Sequence, residues 1–342
     1  MGGVVPKGKN NDELVDNLIE AKYLSDPRIC RIFRQVDRGD FYPGEYYEDA
    51  YRDQAMKSGN LHLSAPCIYC SVMENMDLYP GLSFLNIGSG TGYLSTMVGQ
   101  VLGPFDTNHG IELFEDAINY SQSNIERFMK YSDGFQVTHF CKPRIVQGNV
   151  HSFDITFRQY DRVYVGARLM HLHMKEKIKE LVKVGGVLIF PTGENLMKFN
   201  KVSETEWEEK SLLNVQFSDL IDEKPGDTKD IRIYTQPPTL KELSRQIILQ
   251  NVFTLTAPED EISFAQLDIL DDLPLPRILI KYLRYFRDVN QPKPVSLKKH
   301  RTFSSDEDSF SSDDGDDDDD ENGGGGGGGG GGNRIRFRII IR

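Results

Sequence analysis

Leu82-Ser83-Phe84-Leu85-Asn86-Ile87-Gly88-Ser89-Gly90-Thr91-Gly92-Tyr93-Leu94 is the stretch whose reading decides the fold. The apolar run Leu82 to Ile87 reads as a buried strand, and Thr91 to Val101 carries apolar side chains at helical spacing. Between them, glycine at every second position lets the backbone turn sharply and approach a ligand closely. Strand, Gly-x-Gly-x-Gly, helix is the plan of a nucleotide-binding crossover. A dinucleotide pyrophosphate is cradled by Gly-x-Gly-x-x-Gly; the shorter spacing here leans towards S-adenosylmethionine, which has no pyrophosphate. His109-Gly110-Ile111-Glu112-Leu113 reads as the next strand. Its acid, Glu112, lies about 20 residues past the glycines, where a carboxylate accepts hydrogen bonds from ribose hydroxyls.

Outward from this core, residues 11–21 and 27–36 are amphipathic and predict two short helices. Residues 38–53, rich in Tyr, Asp and Gly, predict a loop that packs its aromatics locally. Leu63-Ser64-Ala65-Pro66 leads into a helix through Met76. Beyond Glu112 the pattern is helix (115–130), strand (144–148), strand (160–166), helix (172–183), a Gly185-Gly186 turn and strand (187–191). Such alternation predicts a doubly wound α/β sheet, with Gly88, Glu112, Asn149 and Gly166 along one edge. Residues 198–220 predict a hairpin. The polar, proline-bounded stretch 226–238 predicts a linker. Thr239-x-x-Glu242 is a capping box opening a helix over 239–253, and a last helix is expected over 278–286.

The chain of 342 residues carries a net charge of −12, but Asp306 to Glu321 alone holds 11 acids. The remainder is near neutral, so no basic face for nucleic acid is expected. Residues 291–342, Pro-, Lys- and Ser-rich, then acidic, then ten consecutive glycines, predict a disordered tail. Cys30, Cys67, Cys70 and Cys141 form no disulfide framework, and Cys67-x-x-Cys70 lacks the second pair of a zinc site, so no metal is expected. Free cysteines and the lack of an apolar run of about 18 residues point to a reducing, cytoplasmic setting. Met1-Gly2-Gly3 begins like a myristoylation signal, although Pro6 stands where such a signal has Ser or Thr. Membrane association is expected only if Gly2 is acylated.

Four blocks in combination carry a family resemblance: Leu63-Ser64-Ala65-Pro66, Leu85 to Gly92, Tyr160-Asp161-Arg162-Val163-Tyr164-Val165-Gly166, and Gly185-Gly186-Val187-Leu188-Ile189-Phe190-Pro191. Together they resemble protein-L-isoaspartate O-methyltransferase from about Asp12 to Leu220. More closely, the chain is similar to the protein-L-isoaspartate O-methyltransferase domain-containing proteins, which share the Met1-Gly2-Gly3 start and the neighbourhood of Arg38-Gly39-Asp40. The resemblance implies a Rossmann-like S-adenosylmethionine-dependent fold over residues 1–225 that recognises isoaspartyl groups in damaged proteins. It implies Ser64 as the active serine. It implies cofactor contacts from Leu85 through Leu94 (Leu85, Asn86, Ile87, Gly88, Ser89, Gly90, Thr91, Gly92, Tyr93, Leu94), from Glu112 and Asn149, from Tyr160, Asp161, Arg162, Val163 and Tyr164, and from Gly185 and Gly186. Departures fall in the substrate half: Cys67 follows Ser-Ala-Pro where the enzyme has histidine, and Arg168-Leu169 replaces small residues and proline. Arg168 is placed to fill or cross the substrate mouth, and Phe217-Ser218-Asp219-Leu220 replaces the enzyme's arginine-bearing segment near the last strand. With the cofactor half better retained than the substrate half, weak or absent methyl transfer is expected.

Two C-terminal segments resemble the boxes of ubiquitin-ligase adaptors. Leu240, Ser244 and Ile248 fit the elongin-binding BC-box pattern, a helix laid in a groove with Leu240 as anchor. Leu273-Pro274-Leu275-Pro276 is similar to the Leu-Pro-x-Pro cullin box of SOCS-box proteins. The resemblance implies a SOCS-box-like helical region over 239–290, with elongin B/C and a cullin-5-type scaffold as partners and isoaspartyl proteins as clients. The expectation is therefore an adaptor that reads isoaspartate, with an active protein-L-isoaspartate (D-aspartate) O-methyltransferase as the alternative.

Overall fold

A computed structural model describes residues 4–135, 139–222, 231–234, 238–254, 270–271 and 273–284, all within one compact unit, Met1–Thr302. The expectations for Gly2 and for the tail at 291–342 lie outside the described residues. Helices α1 (Asn11–Glu20) and α2 (Pro27–Gln35) come first. Asn10 and Asp26 cap them, each side chain accepting from a backbone N–H of the first turn. Two 3-10 turns (Arg38–Phe41 and Gly44–Asp49) lead to a hairpin, β1 (Met56–Ser58) and β2 (Leu61–Leu63), and to α3 (Pro66–Asn75). The crossover unit follows: β3 (Ser83–Ile87), α4 (Tyr93–Val101), β4 (Thr107–Glu112), α5 (Glu115–Tyr131) and β5 (Arg144–Gln147). Then come β6 (Tyr160–Val165), α6 (Leu172–Glu180), β7 (Val182–Thr192), β8 (Asn195–Lys201), β9 (Trp207–Asn214), α7 (Leu240–Thr254) and α8 (Arg277–Leu283).

Among the described residues, seven strands form one sheet in the order β5-β4-β3-β6-β7-β8-β9. The first five run parallel; β8 and β9 add antiparallel at one edge. Side chains of a strand point alternately to opposite faces, and both faces here are apolar. Phe84, Tyr164, Val187 and Ile189 pack on one side with α1–α5 residues such as Phe33, Met97 and Phe128. Leu85, Ile87, Val163, Val165, Leu188 and Phe190 pack on the other with Met174 and Ile178 of α6. Burial on both faces explains why these strands read as unbroken apolar runs.

Several expectations are corrected. The hairpin β1–β2 lies where no strand was expected. Predicted helix 172–183 ends at Glu180, because Val182 already opens β7, whose 11 residues run through the Gly185-Gly186 turn. The aromatics of residues 38–53 pack only partly locally. Tyr47 and Tyr51 share a hydroxyl contact of 2.6 Å, but Phe41 packs at a tilt against Tyr93 of α4, ring centres 5.4 Å apart. Of the stretch expected as a linker, 226–230 and 235–237 lie outside the described residues; within the rest, Ile231 and Ile233 are buried and Ile231 bridges to Phe153. The capping box of α7 is present: Thr239 N–H donates to Glu242 at 2.8 Å, and Glu242 N–H to Thr239 Oγ1 at 3.2 Å.

The amino edge of the sheet is tied by Asp161, the second residue of β6. It accepts from Ser83 N–H and from Lys183 Nζ, each at 2.8 Å. Burial opposes its charge, but these partners outweigh burial and hold its pKa below the ordinary value. A carboxylate with a depressed folded pKa contributes stability that is present above its unfolded pKa of about 3.9 and lost as pH falls through the folded value. Asp161→Asn should therefore lower stability by about 1.5–3 kcal/mol at pH 7. In urea unfolding at successively lower pH, the gap from wild type should close only below about pH 4.

Candidate functional site

The glycine turn after β3 is built from backbone strain that only glycine takes without cost. Gly88, Gly90 and Gly92 have φ of +80°, +53° and +83°. Gly88 and Ser89 donate their N–H groups to Ile111 O of β4 at 2.9 and 3.2 Å, binding the turn to the neighbouring strand. Gly90 passes under the hairpin: a Cβ there would lie 2.5 Å from His62 O.

Glu112 completes the turn. It is 8% exposed, and its two oxygens accept from Gly90 N–H at 2.8 Å, Leu113 N–H at 2.8 Å and Phe114 N–H at 3.3 Å. Burial raises its pKa, and the three backbone donors act against that. A carboxylate offers about four acceptor positions, so one remains beyond those three donors.

Facing this turn is Ser64, between β2 and α3. Its N–H donates to Tyr69 Oη at 3.0 Å, and Ala65 is extended before Pro66 opens α3. The serine is therefore held by a phenol on one side and a proline-started helix on the other. Between these parts lies a cleft of 310 Å³ lined by Ser64, Asn86, Gly88, Gly90, Glu112 and Tyr164, among others. Such a volume is at the lower end for small-molecule sites.

Of the residues expected to touch a cofactor, Asn86, Gly88, Ser89, Gly90, Leu94, Glu112 and Tyr164 line the cleft. Leu85 and Ile87 are apolar core on the far face of β3. Thr91 is buried, Gly92 caps α4, and Tyr93 packs edge-on against Tyr69 at 5.4 Å. Asn149 is at the rim, donating from Nδ2 to Ile221 O, whose residue does line the cleft.

Six further residues are elsewhere. Tyr160 Oη contacts His109 Nδ1 at 2.9 Å, Arg162 donates to Asp77 O at 3.0 Å, and Val163 is core. Asp161 pairs with Lys183, while Gly185 and Gly186 turn the chain, a Cβ at Gly186 lying 3.0 Å from Asp161 O. The reason is strand direction. Carboxyl ends of parallel strands meet at the cleft, and Asp161 lies about 13 Å of strand away from Val165.

Residues the sequence reading missed are Lys57 and His62 of the hairpin, Tyr69, and Gln216 after β9, all lining the cleft; Phe217 and Ser218, noted as a departure in the substrate half, line it too. The turn Ser58-Gly59-Asn60 was a hairpin signal. Residues 215–222 form a strap beside the cleft: Arg168 and Asp219 make a β-bridge, with Arg168 N–H to Ser218 O and Leu220 N–H to Arg168 O both at 2.9 Å. Arg168 does not fill the mouth as expected. Its Nε donates to Asp219 Oδ1 at 2.6 Å, both side chains are partly exposed, and Arg168 is not among the residues lining the cleft.

The two glycines make a graded prediction. Gly88→Ala meets open space and costs only the strain of positive φ, about 1–2 kcal/mol. Gly90→Ala adds a collision with the His62 carbonyl and should cost more, by at least ~1 kcal/mol. Urea-unfolding midpoints of the two variants measure the order, and equal midpoints would contradict it.

The family model described as protein-L-isoaspartate(D-aspartate) O-methyltransferase matches residues 9–225. Proteins named protein-L-isoaspartate O-methyltransferase from Methanothermobacter thermautotrophicus and Methanococcus vannielii are 25% and 28% identical to this chain over 214 residues. Each match covers 61% of this chain, and 93% and 96% of the respective relative. A Plasmodium falciparum protein of the same description, crystallised with S-adenosyl-L-homocysteine, superposes with a TM-score of 0.51 at 24% identity, over 62% of this chain and 98% of that one; this likeness is one of fold. With the match running from the first helix to the strap beside the cleft, the chain belongs to the protein-L-isoaspartate(D-aspartate) O-methyltransferase family.

Proposed function

We propose that this methyltransferase-family chain binds S-adenosylmethionine in the 310 Å³ cleft and methylates the free carboxylate of isoaspartyl residues presented beside Ser64. One observation carries the reading: Ser64 stands across the same cleft from the Gly88–Gly90 turn and Glu112. The residues fit that cofactor. Among the described residues, a Cβ at Gly88 would meet no atom closer than 4.0 Å, so its absence widens the cleft itself. The acceptor position left on Glu112 suits a ribose hydroxyl. Bound there, S-adenosylmethionine would supply an electrophilic methyl on a sulfonium sulfur.

What the chain contributes is placement. An isoaspartyl carboxylate is ionised near neutral pH and needs no base. Ser64, fixed by Tyr69 and Pro66, has its hydroxyl to offer that carboxylate, and in-line positioning is the main source of acceleration. The Arg168–Asp219 pairing supports retained turnover, because the side chain expected to obstruct the mouth is paired with Asp219 and is not among the residues lining the cleft.

Calorimetric titration of the full chain with S-adenosylhomocysteine should give one-to-one binding that Gly90→Ala abolishes. Transfer of labelled methyl to an isoaspartyl peptide, lost in Ser64→Ala, completes the test. Binding without transfer would leave the cofactor half standing and remove the catalytic half.

A second reading, the adaptor, is favoured by the exterior of α7. Leu240 is 80% exposed, Ile247 56% exposed and Ser244 also exposed, on one side of the helix, while Leu249 and Val252 bury the other. Pro274 and Pro276 are exposed, although Ile248, Leu273 and Leu275 pack partly against the core. If α7 docks in an elongin groove, purified elongin B/C should co-elute with the full chain and be lost from Leu240→Asp. An exposed position makes that variant neutral for folding, so retention of elongin B/C would end this reading.

A further inference from the structure

The floor of the cleft contains a polar atom that the fold leaves unsatisfied. Tyr164 is 2% exposed and lines the cleft; among the described residues its Oη makes no hydrogen bond of good geometry, its polar neighbour being the Ser64 side chain. An unpaired buried hydroxyl costs about 1–3 kcal/mol, and phenylalanine would fill the same core without that cost. The surroundings give the hydroxyl a direction. Tyr164 shares a strand face with Gly166, where a Cβ would lie 3.6 Å from the ring at Cε1, so glycine leaves space above the phenol. Tyr69, the other phenol of the cleft, accepts the Ser64 N–H at 3.0 Å and also meets the Ser64 side chain, which fixes it to the serine.

Ser64 neighbours Tyr164, and a hydrogen bond from its side chain favours the ionised phenol. Burial acts the other way and dominates, so the phenol keeps its proton at neutral pH. A permanently protonated phenol is a donor, which suits an anion. Asn86, the register partner of Tyr164 on β3, also has an unsatisfied atom in the cleft, but it is the acceptor Oδ1. That atom suits an ammonium or a hydroxyl and does not suit a carboxylate.

We propose that Tyr164 Oη donates a hydrogen bond to the carboxylate that receives the methyl group, holding the oxygen that does not attack while Ser64 holds the same carboxylate from the hairpin side. This rests on the methyltransferase reading and names a positioning donor that the reading does not require. In the transfer, the attacking oxygen forms a C–O bond as the methyl–sulfur bond breaks. The sulfonium becomes a neutral thioether, the carboxylate becomes a neutral ester, and the phenol retains its proton throughout.

The test uses the full chain saturated with S-adenosylhomocysteine and a labelled hexapeptide carrying one L-isoaspartyl residue. Tyr164→Phe should leave S-adenosylhomocysteine affinity within twofold of wild type and weaken peptide binding about tenfold, the loss expected for one hydrogen bond to a charged group. Its Tm should be unchanged or raised, whereas a tyrosine with a merely structural role would lower it. Ser64→Ala combined with Tyr164→Phe should cost less than the sum of the single losses if both hold one carboxylate. Unchanged peptide affinity in Tyr164→Phe, on a chain that binds both molecules, overturns this inference alone. Equal weakening of both ligands assigns the phenol to the cofactor and also overturns it. A wild-type chain that binds S-adenosylhomocysteine but no isoaspartyl peptide overturns it as well. Failure of the wild-type chain to bind S-adenosylhomocysteine overturns the function proposed above.

Discussion

The contact on which the site depends is the hydrogen bond from Gly90 N–H to the Glu112 carboxylate, 2.8 Å long. It joins the turn after β3 to the end of β4, and it is possible only because Gly88 and Gly90 adopt positive φ. A charged acceptor makes this bond roughly twice as strong as a neutral one. It also orients Glu112, whose other oxygen takes the N–H groups of Leu113 and Phe114. One carboxylate thus organises three backbone donors from two loops. Without them, a buried carboxylate would carry a desolvation cost with little to offset it.

The opposite wall is organised around a cation. Arg38 is fully buried, with its guanidinium 5.5 Å from the Tyr42 ring centre and 5.8 Å from that of Tyr93. Burial lowers its pKa, and the nearby tyrosines and Asp53 act to raise it. Its Nη2 donates to Gln54 O at 3.1 Å, just before β1. The residue therefore links the 3-10 turn at 38–41 with the approach to the hairpin that lines the cleft. Tyr93 belongs to α4, the helix that starts from the glycine turn, so both walls share an element. The aromatic contacts, each worth about 0.5–2 kcal/mol, partly offset the cost of burying the charge. This explains a local departure from the loop expected there: Phe41 and Tyr42 face the body of the domain and not one another.

The C-terminal helices show a different division. Helix α7 buries Leu249 and Val252 on one side and exposes Leu240, Ser244 and Ile247 on the other. Arg245 reaches across to α8, donating to Tyr282 O at 3.0 Å and Leu283 O at 2.8 Å. Those two carbonyls lie at the C-terminal end of α8, where a cation also meets the negative end of the helix dipole. The pair is thereby fastened by its polar side chains while an apolar strip stays at the surface.

Much of this was legible in the chain. The strand, glycine turn and helix at 82–101, the acid at Glu112, the parallel strands at 144–148 and 160–166, and the capping box at Thr239 are local patterns. Each follows from side-chain periodicity or from the conformations that glycine permits, and these act within a few residues. What the chain alone could not convey was which pattern residues share a place. Asp161 and Tyr164 stand three positions apart in one block, yet strand direction and the two-residue alternation send one to an ion pair at the amino edge and the other to the floor of the cleft. Likewise, the direction of the Arg168 side chain is set by Asp219, a residue 51 positions later in the chain. Spacing sets how each segment folds; packing of segments distant in sequence sets which atoms meet, because the contacts that orient a side chain come from the elements brought against it.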